Sequence, residues 1–597
     1  MPTGEATPMP RGGRVWAGLS ATLAFASVRP PRHPCPTARI RTLPESVGRG
    51  LVRLVPRRSL PSAARRPFAA GTLGSPMKDP QKQISQAPTN PRAGAGSAAF
   101  DVAELYSGPL GDAVPQGAAA VPLDEKLRQA YFWIVNHAII SPFYDIEYDD
   151  GPPATFRLGE AKVPLTLPTA QSYSSYVLLP LLNLAVRRRC LIVGGPGRGK
   201  TVIATLLGLI AGHTMREMKQ GIQHGQPQMT IADLLGNPLP SSLVGAKSMD
   251  EIQIAWRKWL SMRVRIIDEY NRIPTRTQSA LLTVMADDYA ELYDQVFECP
   301  PAAWYLTAND DAGGGTYQVI EALRDRIDVV VKALHFNTRF VGELQNRIEE
   351  GIRPEETLPA EIVFSPDELT RMEREVRAVA IPGALRRRIE FFASEFEFFE
   401  PGARRLEYMT KDTVKVAAVP FETFTDAADV AVAGRQTRNG LSVRALQTLL
   451  VFAKALAWFR GNREVGFDDL RQIVPFVLHD KLVQHREATF FDAPENAAYR
   501  SDLVSWIRVL FDGTSQEFDR LGREKDDPIR TLLDQFAQGL EGLEERAVDE
   551  RLAAVERALR AIEKGGKLYG HLFDDVLTLK YLHQRYTNYR TWLRCRG

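Results

Sequence analysis

Four residues in the run LIVGGPGRGKT, Leu191 to Thr201, hold the fixed places of the spacing G-x-x-x-x-G-K-[ST]: Gly194, Gly199, Lys200 and Thr201. Glycines let backbone N–H groups turn inward around an anion, and a helix that starts directly after them aims its positive end at the same point. A lysine at this place reaches the β- and γ-phosphates of a nucleoside triphosphate, and the hydroxyl after it ligates Mg²⁺. The whole loop, Gly194, Gly195, Pro196, Gly197, Arg198, Gly199, Lys200, Thr201 and Val202, is therefore the candidate phosphate site, with Thr201 a candidate metal ligand. The apolar run Cys190 to Val193 precedes it and the helix-like TVIATLLGLIAG follows. Strand, glycine loop, helix is the context that gives such a match its meaning.

Two more stretches supply groups that could act on a bound phosphate. MRVRIIDEYNRIP, at 262–274, is a β-branched strand that ends in Asp268 and Glu269. An acid there can hold a metal ion through water, and a second can polarise an attacking water. AAWYLTAND, at 302–310, is another strand, with Asn309 at its tip, and VIEALRDRIDVVV adds a helix, two arginines and a fourth strand. Strands at 190–193, 264–267, 303–307 and 327–331 with helices between them predict an α/β fold built on a doubly wound parallel sheet. All these motifs then lie at the carboxyl edge, where such sheets bind ligands.

The elements that position these groups sit in a chain of 597 residues, a quarter of them charged, enough for about two to four domains. No apolar run reaches the length of about 18 residues that a membrane span needs. The longest, YVLLPLLNLAV at 176–186, contains Pro180 and Asn183 and is closed by three arginines, so it reads as a core helix. A soluble, cytoplasmic protein is expected. The cysteines Cys35, Cys190, Cys299 and Cys595 lie far apart and suggest neither zinc nor a disulfide framework.

The net charge of +3 conceals a split: residues 1–76 carry twelve arginines, no lysine and two acids, a net +10, which leaves −7 for the remaining 521. A mildly acidic body makes a poor nucleic-acid surface. The basic start fits three readings: a disordered or over-extended segment with Met77 as the true beginning, an organelle address, or a secretion signal around RVWAGLSATLAFASV. Polar, Gly/Ala/Pro-rich text continues to about 115, so residues 1–115 are set apart from the fold.

The run IIDEYNRIPTRTQSALLTVMAD resembles the D-E-I-N-R-A-x-x-x-x-Q-x-A-L-L-x-A-M signature of MoxR-type AAA+ ATPases. QMTIADLLG, GGGTYQVIEALRDRID at 313–328 and LSVRALQTLLVFAKALAWFRGNREVGFDDLRQIVPFVLHDKL at 441–482 extend the resemblance, the last to the family's helical lid. It implies an ATP- and Mg²⁺-dependent ATPase that works as a ring, expected to be a hexamer, with chaperone-like action on a client protein. A protein with a von Willebrand factor A domain is the candidate client. Asn309 matches the sensor residue that orients the attacking water. Arg326 matches the arginine finger that completes a neighbouring subunit's site, with Arg324 as the fallback. Arg444 matches the lid arginine that contacts γ-phosphate. Arginine suits both tasks because it stays charged and spreads its donors over a planar fork. The chain departs from the family where T-Q-N-P is replaced by TANDDAGGG, and where an aromatic-rich insertion fills 401–440.

Beyond the resemblance, Ile529, Leu533, Phe536, Leu540, Leu543 and Ala547 step as a heptad seam, and Leu552, Val555, Leu559 and Ile562 resume after a shift, which predicts a helical hairpin or coiled-coil-like region. The expected partition is an ATPase core at 116–345, a helical lid at 346–485 and a C-terminal helical domain at 486–597. Two rival functions are an NTPase that moves on nucleic acid, as in restriction or defence systems, and a nucleotide-switched scaffold without turnover. The acidic body weighs against the first and Glu269 against the second.

Overall fold

A computed structural model describes residues 121–596 except 149–153, 161, 168, 170, 246–247, 249–250, 310–318, 418–432, 525–526, 566–567 and 569. The arginine-rich start, the rebuilt stretch after Asn309 and residues 418–432 of the aromatic insertion lie outside the described residues. All that follows concerns the unit from Gly96 onward.

Five parallel strands form the central sheet: β1 (Arg189–Val193), β2 (Gln223–His224), β3 (Val264–Asp268), β4 (Ala303–Ala308) and β5 (Val329–Lys332), in the spatial order β5-β1-β4-β3-β2. The four longer strands fall where the β-branched runs predict them. The two-residue edge strand β2 was not legible, because it has no apolar alternation and pairs only through Gln223 and His224 with Ile267 and Asp268. Within the sheet Leu306 stands opposite both Leu191 and Ile267, which fixes the register of the three central strands.

Helices cover both faces. α1 (Leu123–Trp133) runs on through a π turn, Ile134–Ala138. α2 (Ser175–Val186) is the predicted core helix, buried at every position but Tyr176. Its two unusual residues are accommodated by polar contacts: Asn183 Nδ2 donates to Trp304 O of β4 at 3.1 Å, and Pro180 O accepts from the Tyr305 hydroxyl at 2.8 Å. α3 (Lys200–Ile210) follows the glycine loop, α4 (Thr275–Asp287) follows the acidic strand end, and the short α5 (Glu321–Arg326) leads into β5. Antiparallel ribbons, among them Thr155–Leu158 with Val163–Thr166, are inserted between these elements.

The lid packs back on this body. α6 (Pro366–Ala378) and α7 (Gly383–Ser394) precede α8 (Val443–Phe459) and α9 (Phe467–Leu478). α8 lies on α2 and α6, α9 reaches β5, and one continuous apolar core joins sheet and lid. α10 (Leu503–Arg520) rests on α7 and α9, with Arg471 of α9 forked onto Asp512 by two bonds of 2.7 Å.

α11 (Pro528–Ala537), α12 (Glu545–Lys564) and α13 (His571–Arg596) share a second, separate core. The predicted hairpin is made by α12 and α13, which run antiparallel, with Arg594 on Glu545 and Arg590 on Asp549. The heptad seam from Ile529 to Ala547 does not run along one helix. Gly539 and Gly542 take φ of 94° and 80° and turn the chain between α11 and α12, because a glycine bears a left-handed backbone that a helix excludes.

Within the insertion at 401–440, one buried lysine ties the two described parts together. Lys411 is 2% exposed and donates its ammonium to Gly434 O, to Thr437 O at 2.9 Å and to Thr437 Oγ1 at 2.7 Å, across the undescribed stretch. Lys411→Met keeps the apolar stem and takes the donor from Thr437 O, while Gly434 O keeps only the Thr437 hydroxyl at 3.3 Å, so unfolding by urea should show a loss of about 2 kcal/mol or more. An unchanged midpoint would mean that the acceptors find other partners.

Candidate functional site

The carboxyl ends of β1, β3 and β4 meet at the glycine loop. Gly197 and Gly199 take φ of 73° and 75°, and Gly199 caps the N-terminus of α3. A Cβ on Gly194 would stand 2.7 Å from Ala333 O at the end of β5. No side chain fits at that approach, so the loop is a backbone cradle, and the N-terminal dipole of α3 points into it.

Lys200 is 7% exposed, and its ammonium donates to Gly194 O at 2.6 Å, Gly195 O at 2.8 Å and Asn309 Oδ1 at 2.8 Å. The other end of the same amide, Asn309 Nδ2, donates to Glu269 Oε1 at 2.9 Å. One asparagine thus joins the loop lysine to the second acid of β3. Beside it the Thr201 hydroxyl donates to Asp268 Oδ1 at 2.8 Å, placing the two predicted metal ligands together. Hard oxygen donors of this kind, next to an anion cradle, fit Mg²⁺ held mostly by phosphate and water.

Three contributors escaped the sequence reading. Thr307 donates its hydroxyl to Asp268 Oδ1 at 2.6 Å and accepts from the Glu269 N–H at 2.9 Å. Arg272 sets its Nε 3.1 Å from Glu269 Oε2, and His224 sets Nδ1 3.1 Å from Asp268 Oδ2. Thr307 and Arg272 lie two residues before Asn309 and three after Glu269, so strand alternation and a single turn could have singled them out. His224 gave no signal, because only the sheet brings β2 beside β3.

Glu269 itself has φ 54° and ψ 47°, a left-handed conformation that non-glycine residues seldom hold. Its N–H bond to Thr307 and the bond from Arg272 N to its carbonyl, 2.9 Å, hold it there and start the short turn Tyr270–Arg272. That turn sends the carboxylate away from the strand, toward Asn309.

A cavity of 850 Å³ opens beside Gly197, Arg198 and Gly199. Ile139, Tyr176, Val202, Leu206, Leu334 and Ile348 are among its walls, which suits an apolar ring joined to a phosphate chain. Burial holds the Tyr176 hydroxyl protonated far above its ordinary pKa, and it donates to Arg198 O at 3.3 Å. The walls come from segments some 200 residues apart in the chain, so no local motif announced them.

The two predicted arginines stand elsewhere. Arg326 ends α5, half-buried, with Nη1 donating to Ala322 O at 3.0 Å, and Arg444 at the start of α8 is ion-paired with Asp325. Among the described residues, none of their hydrogen bonds or ion pairs reaches the glycine loop of the same chain.

Parts of the chain are similar to known proteins. The model of the ATPase family associated with various cellular activities (AAA) matches residues 189–329, and that of the AAA lid domain matches 431–498. The uncharacterized protein YeaC of Bacillus subtilis is 24% identical over 335 residues, 56% of this chain and 88% of that protein. Chaperone MoxR1 of Mycobacterium tuberculosis is 24% identical over 305 residues, 51% of this chain and 70% of that one. A crystal structure from Cytophaga hutchinsonii aligns over 55% of this chain and 89% of its own at a TM-score of 0.40 and 18% identity.

Binding and turnover separate in this arrangement. Lys200→Ala should lose ATP affinity, whereas Glu269→Gln should keep it and lose hydrolysis by about 10²-fold or more. Thr307→Val should resemble Glu269→Gln in direction, because its hydroxyl fixes both acids and touches no part of the cradle. Nucleotide titration and phosphate release decide each case; equal turnover in wild type and Glu269→Gln would remove the catalytic assignment.

Proposed function

The chain belongs to the MoxR-type AAA+ ATPases, and from that premise we propose that it hydrolyses ATP with Mg²⁺, as a ring, to remodel a client protein. The observation that supports turnover most directly is the bridge Lys200–Asn309–Glu269, which links the phosphate-gripping residue to the water-polarising one through one rigid amide.

In this reading the N–H groups of Gly194 to Thr201 and the Lys200 ammonium bind the phosphates, and the apolar cavity takes the base. Thr201 and Asp268 hold the metal ion, which when bound offsets charge on the β- and γ-phosphates. Glu269 accepts hydrogen bonding from the attacking water and polarises it. Asn309 orients that water, and Arg272 and Thr307 keep Glu269 aimed. Arg326 stabilises transition-state charge in a neighbouring subunit's site, and Arg444 contacts γ-phosphate from the lid. The bonds of Arg326 and Arg444 lie away from their own loop, which supports an assembly in which a second subunit completes each site.

A chaperone-like action is supported by the relative named Chaperone MoxR1. The von Willebrand factor A domain is the client class to test first, on the strength of the family resemblance. The ring is expected to be a hexamer and the setting the cytoplasm. Among the described residues no helix is long and apolar enough to cross a membrane.

The assembly claim is tested by mixing. Arg326→Ala subunits retain Glu269, and Glu269→Gln subunits retain the finger. Turnover should reappear at mixed interfaces where both sound halves meet, and activity per subunit should rise with protein concentration. If mixed assemblies form yet turn over no faster than the two variants apart, Arg326 does not act in trans.

A further inference from the structure

Asp325 lies between the two arginines of α5, and its carboxylate and its carbonyl both contact the lid. One carboxylate oxygen is ion-paired with Arg444, and the other accepts from the Ser442 hydroxyl at 3.3 Å. Its carbonyl accepts from Lys481, a side chain only 7% exposed, at 2.8 Å. Ser442 is also the cap of α8, where its hydroxyl receives the Ala445 N–H at 3.2 Å. One residue of α5 therefore holds the first turn of α8 and the chain just beyond α9. Three positions on, Asp328 is fully buried and accepts from Thr448 of α8 at 2.6 Å and from the Arg189 N–H of β1 at 3.0 Å.

Arg326 sits between these two anchors. Its guanidinium is folded against its own helix, on Ala322 O, and its Nε is buried without a hydrogen-bond partner. Its backbone is therefore set from both sides, while the side chain has only one weak intrahelical tether to break. Asp328 ties the segment to the sheet, and a sheet strand does not move freely. Asp325 ties it to the lid, through one exchangeable ion pair and two hydrogen bonds at a half-exposed site.

We infer that Asp325 is a positioning residue that couples the lid to the finger: through its hold on Arg444, Ser442 and Lys481, the placement of the lid fixes how Arg326 is offered to the neighbouring subunit. The inference rests on the trans role of Arg326 proposed above. It assigns Asp325 no contact with nucleotide. Substitution should therefore spare ATP affinity and lower the turnover that depends on the subunit carrying the substituted residue as finger donor.

Four mixtures of full-length chains separate the possibilities. The reference contains Arg326→Ala subunits, which supply the site, and Glu269→Gln subunits, which supply the finger. Asp325→Asn placed in the finger-supplying subunits should reduce the regained turnover by about tenfold, the scale of a misplaced catalytic group. The same Asp325→Asn placed in the site-supplying subunits, whose own finger is already removed, should lower the regained turnover less, because there it can act only through Arg444. Asp325→Glu in the finger-supplying subunits, which keeps a carboxylate for Arg444, should recover part of the loss. Melting temperature and ATP affinity are measured for every chain. Equal turnover in the first two mixtures overturns the inference. So does an equal fall in both Asp325→Asn mixtures, which would mark a structural role in the lid alone. No regained turnover in the reference, with mixed assemblies present, removes the trans role of Arg326 itself and is recognised before Asp325 is changed.

Discussion

The register of three parallel strands is the constraint on which the site depends. With Leu306 level with Leu191 and Ile267, the strand ends come out together, and Gly194 N still reaches Ala308 O at 3.2 Å just past the last pair. Thr201 meets Asp268, and Asn309 meets both Lys200 and Glu269, at 2.8–2.9 Å only because of that alignment. A slip of one residue would move an end by about 3.3 Å and turn Thr307 to the opposite face. The buried β-branched residues of β1, β3 and β5, packed between helices, prevent the slip.

The second constraint is local. A left-handed Glu269 costs about 1–2 kcal/mol relative to ordinary backbone, and each hydrogen bond that holds it returns roughly 1 kcal/mol. The Thr307 hydroxyl and the Arg272 N–H are enough to offset the strain. What the strain achieves is directional: the chain leaves β3 sharply, and the carboxylate points at Asn309 instead of along the strand. Both carboxylate oxygens then have partners, Asn309 on one and Arg272 on the other, so its orientation is set before any substrate arrives.

Most of the architecture was legible because the signals are periodic or positional. The four long strands are β-branched runs, α2 is an unbroken apolar helix, and the glycine loop has a fixed spacing between strand and helix. The site was legible where one residue type must occupy one place: Lys200, Thr201, Asp268, Glu269 and Asn309 all stand together. His224 and the cavity walls were not, because they depend on strand order and on segments distant in sequence. The heptad seam misled for a different reason. Apolar spacing continued across Gly539 and Gly542, whose backbone freedom, and not their spacing, ended the helix. Arg326 and Arg444 were legible as arginines at family positions, but their tie through Asp325 needed coordinates.

β5 carries the consequence furthest. Asp328, at its start, holds Thr448 of the lid and the backbone of β1. Ala333, at its end, lies against Gly194, and its N–H donates to Val193 O at 2.7 Å. Between them runs a short edge strand, paired in register with β1 alone, whose length is about 3.3 Å per residue and nearly incompressible along its axis. Arg326 precedes Asp328 by two residues. The segment 326–333 therefore has the candidate finger at one end, a lid contact beside it and the phosphate loop at the other. A change in spacing at the loop cannot be absorbed within β5, because every inner side chain is buried and every step of the register is paired. A shift carried along β5 would reach the Arg326 end, where strand gives way to turn and the half-exposed Asp325–Arg444 pair can exchange partners.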